Sequence, residues 1–461
     1  MIRRFIISLI LLITFIPLTS VHAQGQGPIY IVQPGDTLGV ISARFGVSMT
    51  DIMDANSLTN PDALTAGIQL VIPGLTGISG ILVSAVVPLG ETLQSLSLKY
   101  QVPVNALVKL NRLTSPNEVF AGSSIIIPQQ DKTTFLEPIA SIDPGQSLLE
   151  TAAILKTNPW DIVDTNSLAG TWDMLPSELL FGQASPDQSK ISNISPLLES
   201  VVVHKLPLVQ GQTEVVEVNS RQAIDLSGEL NGKPLHFFQQ AENQYIALQG
   251  IYAMADIGLA NFVLKGTQKD GKSFQFNQSL LLEAGNFGQD PKLYVPPETV
   301  DPAITKPEDD KVASLTAPAT PTRYWSKVFK APNDVPDCIK SLFGNRRSFN
   351  DSAFTYFHTG VDYGVCVNSL NIYAVAPGIV VFTGLLDVRG NTTIIDHGWG
   401  VYSGYYHQSE IQINVGDKVE EGQVIGQIGK TGRVTGPHLH WDMFVNGIQV
   451  QPLDWLDNLY P

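Results

Sequence analysis

Three short turns set at a fixed interval constrain this 461-residue chain more than any other feature. Pro34-Gly35-Asp36-Thr37-Leu38 is echoed by Leu89-Gly90-Glu91-Thr92-Leu93 and by Pro144-Gly145-Gln146-Ser147-Leu148, with the glycines 55 residues apart twice. Asn56, Asn111 and Asn166 keep the same interval, as do Ile72-Pro73 and Ile127-Pro128. Self-similarity at a fixed period means one supersecondary unit used repeatedly. Each copy reads as a βααβ module. A short strand (Ile29 to Val32 in the first) meets the Gly turn, and Asp36 or Thr37 caps a helix with Leu38, Ile41 and Phe45 on its apolar face. A second helix from about Met49 ends at Asn56, a residue that tolerates a left-handed C-cap, and a strand near Gln69 to Ile72 closes the unit against the first strand.

The Pro-Gly-Asp-Thr-Leu turn, the Asn-x-Leu turn and the Ile-Pro ending resemble the LysM domain, over residues 28–74 and 82–130. The third copy, 138–184, has Gly182-Gln183 where the period places Ile-Pro, and is read as a degenerate LysM-like repeat. The resemblance implies binding of the N-acetylglucosamine backbone of peptidoglycan or chitin. Service as plain spacers is the competing reading, most strongly for the third copy.

The flanking sequence bounds the compartment. Met1-Ile2-Arg3-Arg4, an apolar run from Phe5 to about Pro17, and Val21-His22-Ala23 before Gln24 read as a signal peptide over residues 1–23. The run is short for a membrane span, so the expectation is a secreted protein of the cell wall, periplasm or extracellular envelope, with no membrane association after cleavage. An uncleaved anchor is the alternative. A net charge of −15 argues against a nucleic-acid partner. Cys338 and Cys366 are the only cysteines; export would allow them to form a disulfide, and two buried thiols are the other reading.

Residues 190–295 carry short β-rich runs broken by turn residues, the pattern of an all-β sandwich, read here as an accessory domain or spacer without an assignable ligand. Residues 296–323 are Pro-rich and acidic and read as an extended linker.

From 324 to 461 the chain is strand-like and holds five of the eight histidines. His438 and His440 are two apart on an extended run, so both rings point to one side of a sheet. His358 and Asp362 lie four apart upstream, and His407 follows Tyr405-Tyr406. Neutral imidazole and carboxylate are zinc ligands, and a catalytic zinc keeps three protein ligands and one open position. His358-Thr-Gly-Val-Asp362, Ala374-Val-Ala-Pro-Gly378, Ile395-Asp396-His397-Gly398, Tyr405-Tyr406-His407, Gly422-Gln-Val-Ile-Gly426 and Thr435-Gly-Pro-His-Leu-His440 follow, in order, the pattern of lysostaphin-type zinc endopeptidases.

That resemblance implies a mainly-β, duplicated hybrid motif-like domain that cuts stem or cross-bridge peptides of peptidoglycan. It implies Zn²⁺ on His358, Asp362 and His440, with His407 and His438 as the unligated catalytic pair, their two roles exchangeable. No Glu lies within these motifs to act as the base. His397 reads as a structural hydrogen-bonding residue, and Arg346 and Arg347 as solvated surface rather than a substrate clamp. Trp441-Asp442 departs from the family's usual Phe-Glu, and Cys366 stands where Ala-Pro then Gly-Thr is common. The expectation is a multidomain, LysM-anchored zinc endopeptidase. The rival is a non-catalytic wall-binding scaffold or an activator of other wall hydrolases, against which the presence of all five site residues counts.

Overall fold

A computed structural model describes residues 27–129, 135–142, 145–173, 178–183 and 191–461; the signal-peptide segment 1–23 lies outside the described residues. The first copy belongs to one compact unit, which runs to Val83. The second copy from Ser84 to Ile127, the third copy and everything beyond it belong to another, while Pro128 and Gln129 group with the first.

All three copies form two helices between strands: Leu38–Phe45 and Met49–Ala55, Leu93–Tyr100 and Val104–Asn111, Leu148–Leu155 and Pro159–Thr165. Thr37, Thr92 and Ser147 cap the first helix of each by accepting from a backbone N–H of the first turn. Ile29–Ile31 pairs antiparallel with Gln69–Val71, and Glu137–Ser141 with Leu179–Gly182, so the third copy keeps its closing strand despite losing Ile-Pro.

The periodic asparagine has a different task from the one read in the sequence. Asn56 is not left-handed (φ −112°); the positive φ falls on Ser57, and likewise on Arg112 and Ser167. Its amide instead staples helix to closing strand. Asn56 Nδ2 donates to the carbonyls of Ile52 and Val71, and its Oδ1 accepts from Val71 N–H at 2.7 Å. Asn111 does the same with Leu107 and Ile126, and Asn166 with Ile162 and Phe181. Three backbone groups satisfied by one side chain explain why only an amide serves there.

The middle region consists of two sheets. One orders Lys233–Leu235, Ile224–Leu230, Gly258–Gln268, Ser273–Glu283 and Leu208–Val209; the other Phe238–Ala241, Gln244–Gly250, Thr213–Ser220 and Leu198–Val203. They share a core that includes Val216, Val218, Ala247, Leu230, Phe262, Leu264 and Leu280. The second sheet is apolar on its other face too. Val215, Ile246 and Leu248, alternating with the inward residues as strand geometry demands, belong to the core of the C-terminal domain with Val445, Val450 and Trp455. Asn446 Nδ2 donates to the Leu248 carbonyl at 2.7 Å and Gln451 N–H to that of Gly211 at 2.7 Å. This region is therefore welded to its neighbour rather than strung beside it as a spacer.

The stretch read as an extended linker contains a fifteen-residue helix, Pro302–Thr316. Asp301 caps it and Pro302 occupies the first turn, where a missing N–H costs nothing. Glu308, Val312 and Thr316, four apart, form its buried stripe, and Val312 packs with Leu386, Ile394, Tyr402 and Phe444. A stripe of three residues, one of them a carboxylate, leaves little apolar periodicity to read.

The C-terminal domain is built on a sheet ordered Ile339–Ser341, Val361–Gly364, His438–Val445, Val401–Gln408, Gly390–Gly398, Gly378–Leu386 and Lys418–Val419. Cys338 and Cys366 are disulfide-bonded, with Cα atoms 6.2 Å apart, so the edge strand is tied to the chain that follows Asp362.

Candidate active site

Register assembles the site. Antiparallel pairing sets Asp362 directly opposite His440 and Gly364 opposite His438, and on the other side Tyr406 faces His440. Cross-strand partners lie within side-chain reach, so three adjacent strands deliver His440, Asp362 and, one residue beyond Tyr406, His407. His407 sits where pairing with Gly390–Gly398 slips between Thr393 and Asn391, and its φ is +62°. A left-handed non-glycine residue at a bulge re-aims its side chain and marks a functional constraint.

Three donor atoms converge. His358 Nε2 lies 2.9 Å from His440 Nδ1 and 3.0 Å from Asp362 Oδ1, and His440 Nδ1 lies 2.8 Å from Asp362 Oδ1. The outer partners fix which ring nitrogen carries hydrogen. His358 Nδ1 lies 2.9 Å from the Leu342 carbonyl, which only accepts, so Nδ1–H donates and Nε2 presents its lone pair inward. His440 Nε2–H donates to the buried Asp442 carboxylate at 2.6 Å, which turns Nδ1 inward. Burial opposes charge on His440, but Asp442 and Asp362 outweigh it and raise its pKa to about 9. Asp362, although buried, is held well below the usual carboxylate range by His358 and His440. The surrounding carboxylates thus favour positive charge among the three inward-facing donor atoms, the place a divalent cation would take. His358, Asp362 and His440 are the one group among the described residues whose ligand atoms lie this close together. The donor set of two imidazoles and a carboxylate, each with its outer partner, fits a catalytic zinc position.

Two further imidazoles face the same space. His438 Nδ1–H donates to the Gly436 carbonyl at 2.8 Å, and its Nε2 lies 3.6 Å from Asp362 Oδ1. His407 Nδ1–H donates to the Thr431 carbonyl at 2.8 Å, which leaves Nε2 to accept. The two rings are 4.8 Å apart. Burial, then the neighbouring His438 and His440, lower the His407 pKa to about 3, so its ring is neutral at ordinary pH. All of these except His358 line a cleft of about 560 Å³.

Some functional neighbours escaped the sequence reading. Arg347, expected in solvent, is largely buried: its guanidinium spans Asp290 (2.8 Å) and Asp362 Oδ2 (3.0 Å), so the second oxygen of Asp362 is occupied and Oδ1 turns to the cluster. Asp290 comes from the far end of the middle region, beyond any local motif. Asp442 was noted only as a departure from a family residue, yet it sets the orientation of His440. His397 is fully buried and bonds the Pro377 carbonyl and Ser403 hydroxyl, away from the cluster, with its pKa lowered to about 4 by burial.

Residues 356–452 match Peptidase family M23, and residues 30–73 and 86–128 match the LysM domain. Over 122 residues the chain is 37% identical to the peptidoglycan DD-endopeptidase ShyA of Vibrio cholerae serotype O1, covering 26% of this chain and 28% of the relative. Over 96 residues it is 41% identical to the DD-carboxypeptidase/endopeptidase Mpg of Neisseria meningitidis serogroup B, covering 21% and 22%. Among solved structures it is similar to the catalytic domain of the antimicrobial peptidase lysostaphin from Staphylococcus simulans, with 31% identity, a TM-score of 0.21, and coverage of 22% of this chain and 80% of that one. The chain spans about a quarter of the length of these curated relatives.

Proposed function

We propose, from a family M23 peptidase domain joined in one chain to two LysM domains, that this protein is an exported zinc endopeptidase. Its substrate is the peptide of bacterial peptidoglycan, and its repeats hold it on the N-acetylglucosamine glycan. The observation that carries this reading is the triangle of inward-facing donors on His358, Asp362 and His440, with two unligated imidazoles beside it in one cleft.

Zinc on those three donors would supply Lewis acidity to the scissile carbonyl and to water. The remaining work falls to the chain. His407, neutral and with Nε2 free to accept, takes the proton of the attacking water. His438, whose Nδ1–H is held by the Gly436 carbonyl with Nε2 toward the cluster, acts as the imidazolium: its Nε2–H donates to the developing oxyanion and then passes to the departing amine, and the proton that His407 took from water replaces it. Arg347 and Asp442 keep Asp362 and His440 in their ligating orientations. The repeats raise the local substrate concentration by tethering, without new contacts at the cleft.

The test uses the full chain: zinc content, and dye release from labelled peptidoglycan with and without a chelator. About one zinc per chain and chelator-sensitive release, abolished in His407→Ala while zinc stays bound, is the expected result. A folded, zinc-loaded chain that releases no dye from any peptidoglycan type would overturn the activity; one that binds no zinc would overturn the metal site.

A further inference from the structure

Four cationic side chains line the cleft: Lys340, Arg347, Arg389 and Arg433. Lys340 is exposed to water. Arg347 is matched by Asp290 and Asp362, and Arg389 by Glu308 and Asp309. Arg433 is different. Its guanidinium lies over the Phe349 ring at 4.6 Å, and Nη1 donates to the Thr299 carbonyl at 2.7 Å, but it has no ion pair among the described residues. Burial works against its charge, as do Arg389 and Arg347 nearby; Glu308 and Asp309 offset this, but both carboxylates are already engaged by Arg389. A guanidinium does not give up its proton; this partly buried one has four N–H donors without an acceptor among the described residues, an anion would complete it, and its planar fork matches a carboxylate.

Its place in the chain adds a second line of argument. Thr431, whose carbonyl orients His407, and Gly436, whose carbonyl orients His438, flank Arg433 on one loop. That loop is anchored by Arg433 N–H to the Val388 carbonyl at 2.8 Å. A group held by Arg433 is therefore held in register with both unligated imidazoles.

We propose that Arg433 is a carboxylate subsite of the cleft, taking a free carboxylate of the substrate peptide, so that the chain selects acidic stem peptides over amidated ones. This rests on the endopeptidase reading for the identity of the peptide.

The probes are soluble muropeptides and the same muropeptides after carboxyl amidation. Binding is measured by calorimetry to the full-length zinc-loaded chain carrying His407→Ala, so that no turnover intervenes. The parent is expected to bind the unmodified form about 10- to 100-fold more tightly, the range of a charge-assisted hydrogen-bonded pair. Adding Arg433→Gln should bring the two forms within about threefold by weakening only the unmodified one. Arg433→Lys, which keeps the charge and guards against misfolding, should keep a reduced preference. A parent that does not discriminate, an Arg433→Gln chain that still does, or equal weakening toward both probes overturns the subsite. Because binding is read, a chain that fails to cut peptidoglycan can still uphold the subsite, and a chain that cuts it can still refute the subsite.

Discussion

Replacing Asp442 by Asn isolates how the cluster is tuned. Asp442 is fully buried, and its Oδ1 accepts from His440 Nε2 at 2.6 Å and from the Thr359 hydroxyl at 3.1 Å. Asn has the same size and still offers one acceptor oxygen, so the strand pairing around it can persist. What disappears is the charge that, with Asp362, lifts the basicity of His440 against the effect of burial. A less basic imidazole gives less to a cation, and changes at such outer partners cost about 10- to 100-fold in metal affinity. That range corresponds to roughly 1.4–2.7 kcal/mol. The assay is competition for zinc between the full chain and a chromophoric chelator at pH 7.5, with a thermal melt of the metal-free chain to confirm folding. His407→Ala serves as the control: its ring bonds Thr431 rather than a ligand, so zinc affinity should stay within about threefold. An Asp442→Asn chain that melts normally and binds zinc as tightly as the parent would refute the reasoning.

Three further outcomes follow from buried polar groups. Glu308→Ala removes the carboxylate that accepts from Val388 N–H, Arg389 N–H and Arg389 Nη1 and leaves Arg389 with only the exposed Asp309 as counter-ion; a loss of roughly 1–3 kcal/mol is expected in denaturant unfolding, and an unchanged midpoint would remove that helix from the stabilising set. Glu214 is buried, which raises its carboxyl from 4.5 to about 7. A raised folded-state pKa gives stability that is complete below 4.5 and is lost as pH rises through about 7. Melts at pH 4.5 and 7.5 should show this component of the loss vanish in Glu214→Gln; an identical pH dependence would count against it. Asn166→Ala strands the N–H and carbonyl of Phe181, and amide exchange across Leu179–Gly182 should quicken by about 10- to 100-fold while the strand His438–Val445 is unaffected.

What could be read from the sequence was whatever repeats or follows a local motif. The interval of 55 residues exposed the three modules because each must bury the same helix faces. The His-x-His alternation placed two rings on one side of a strand through the pleat alone, and the structure brings His358, Asp362, His407, His438 and His440 together. What could not be read depends on distant partners. Arg347 looks like surface until Asp290 arrives from 57 positions away. The strand Thr213–Ser220 reads as one face of a sandwich, since nothing local says that Val215 meets a second core. Asn56 shows the other kind of miss: the right residue was marked, but for a local backbone reason rather than for its hydrogen bonds to a strand fifteen residues on.

The sheet shared between two cores also limits how this chain can be cut or recombined. A fragment starting near residue 324 would leave bare the apolar surface that Val215, Ile246 and Leu248 cover, and would lose Asp290, the counter-ion that holds Arg347 against Asp362. A boundary at Leu198, where the first strand of that sheet begins, would not be free either, because Leu89 and Ala121 of the second repeat share the middle core with Phe262 and Leu280. The heritable module that carries the chemistry is larger than the stretch that carries its motifs.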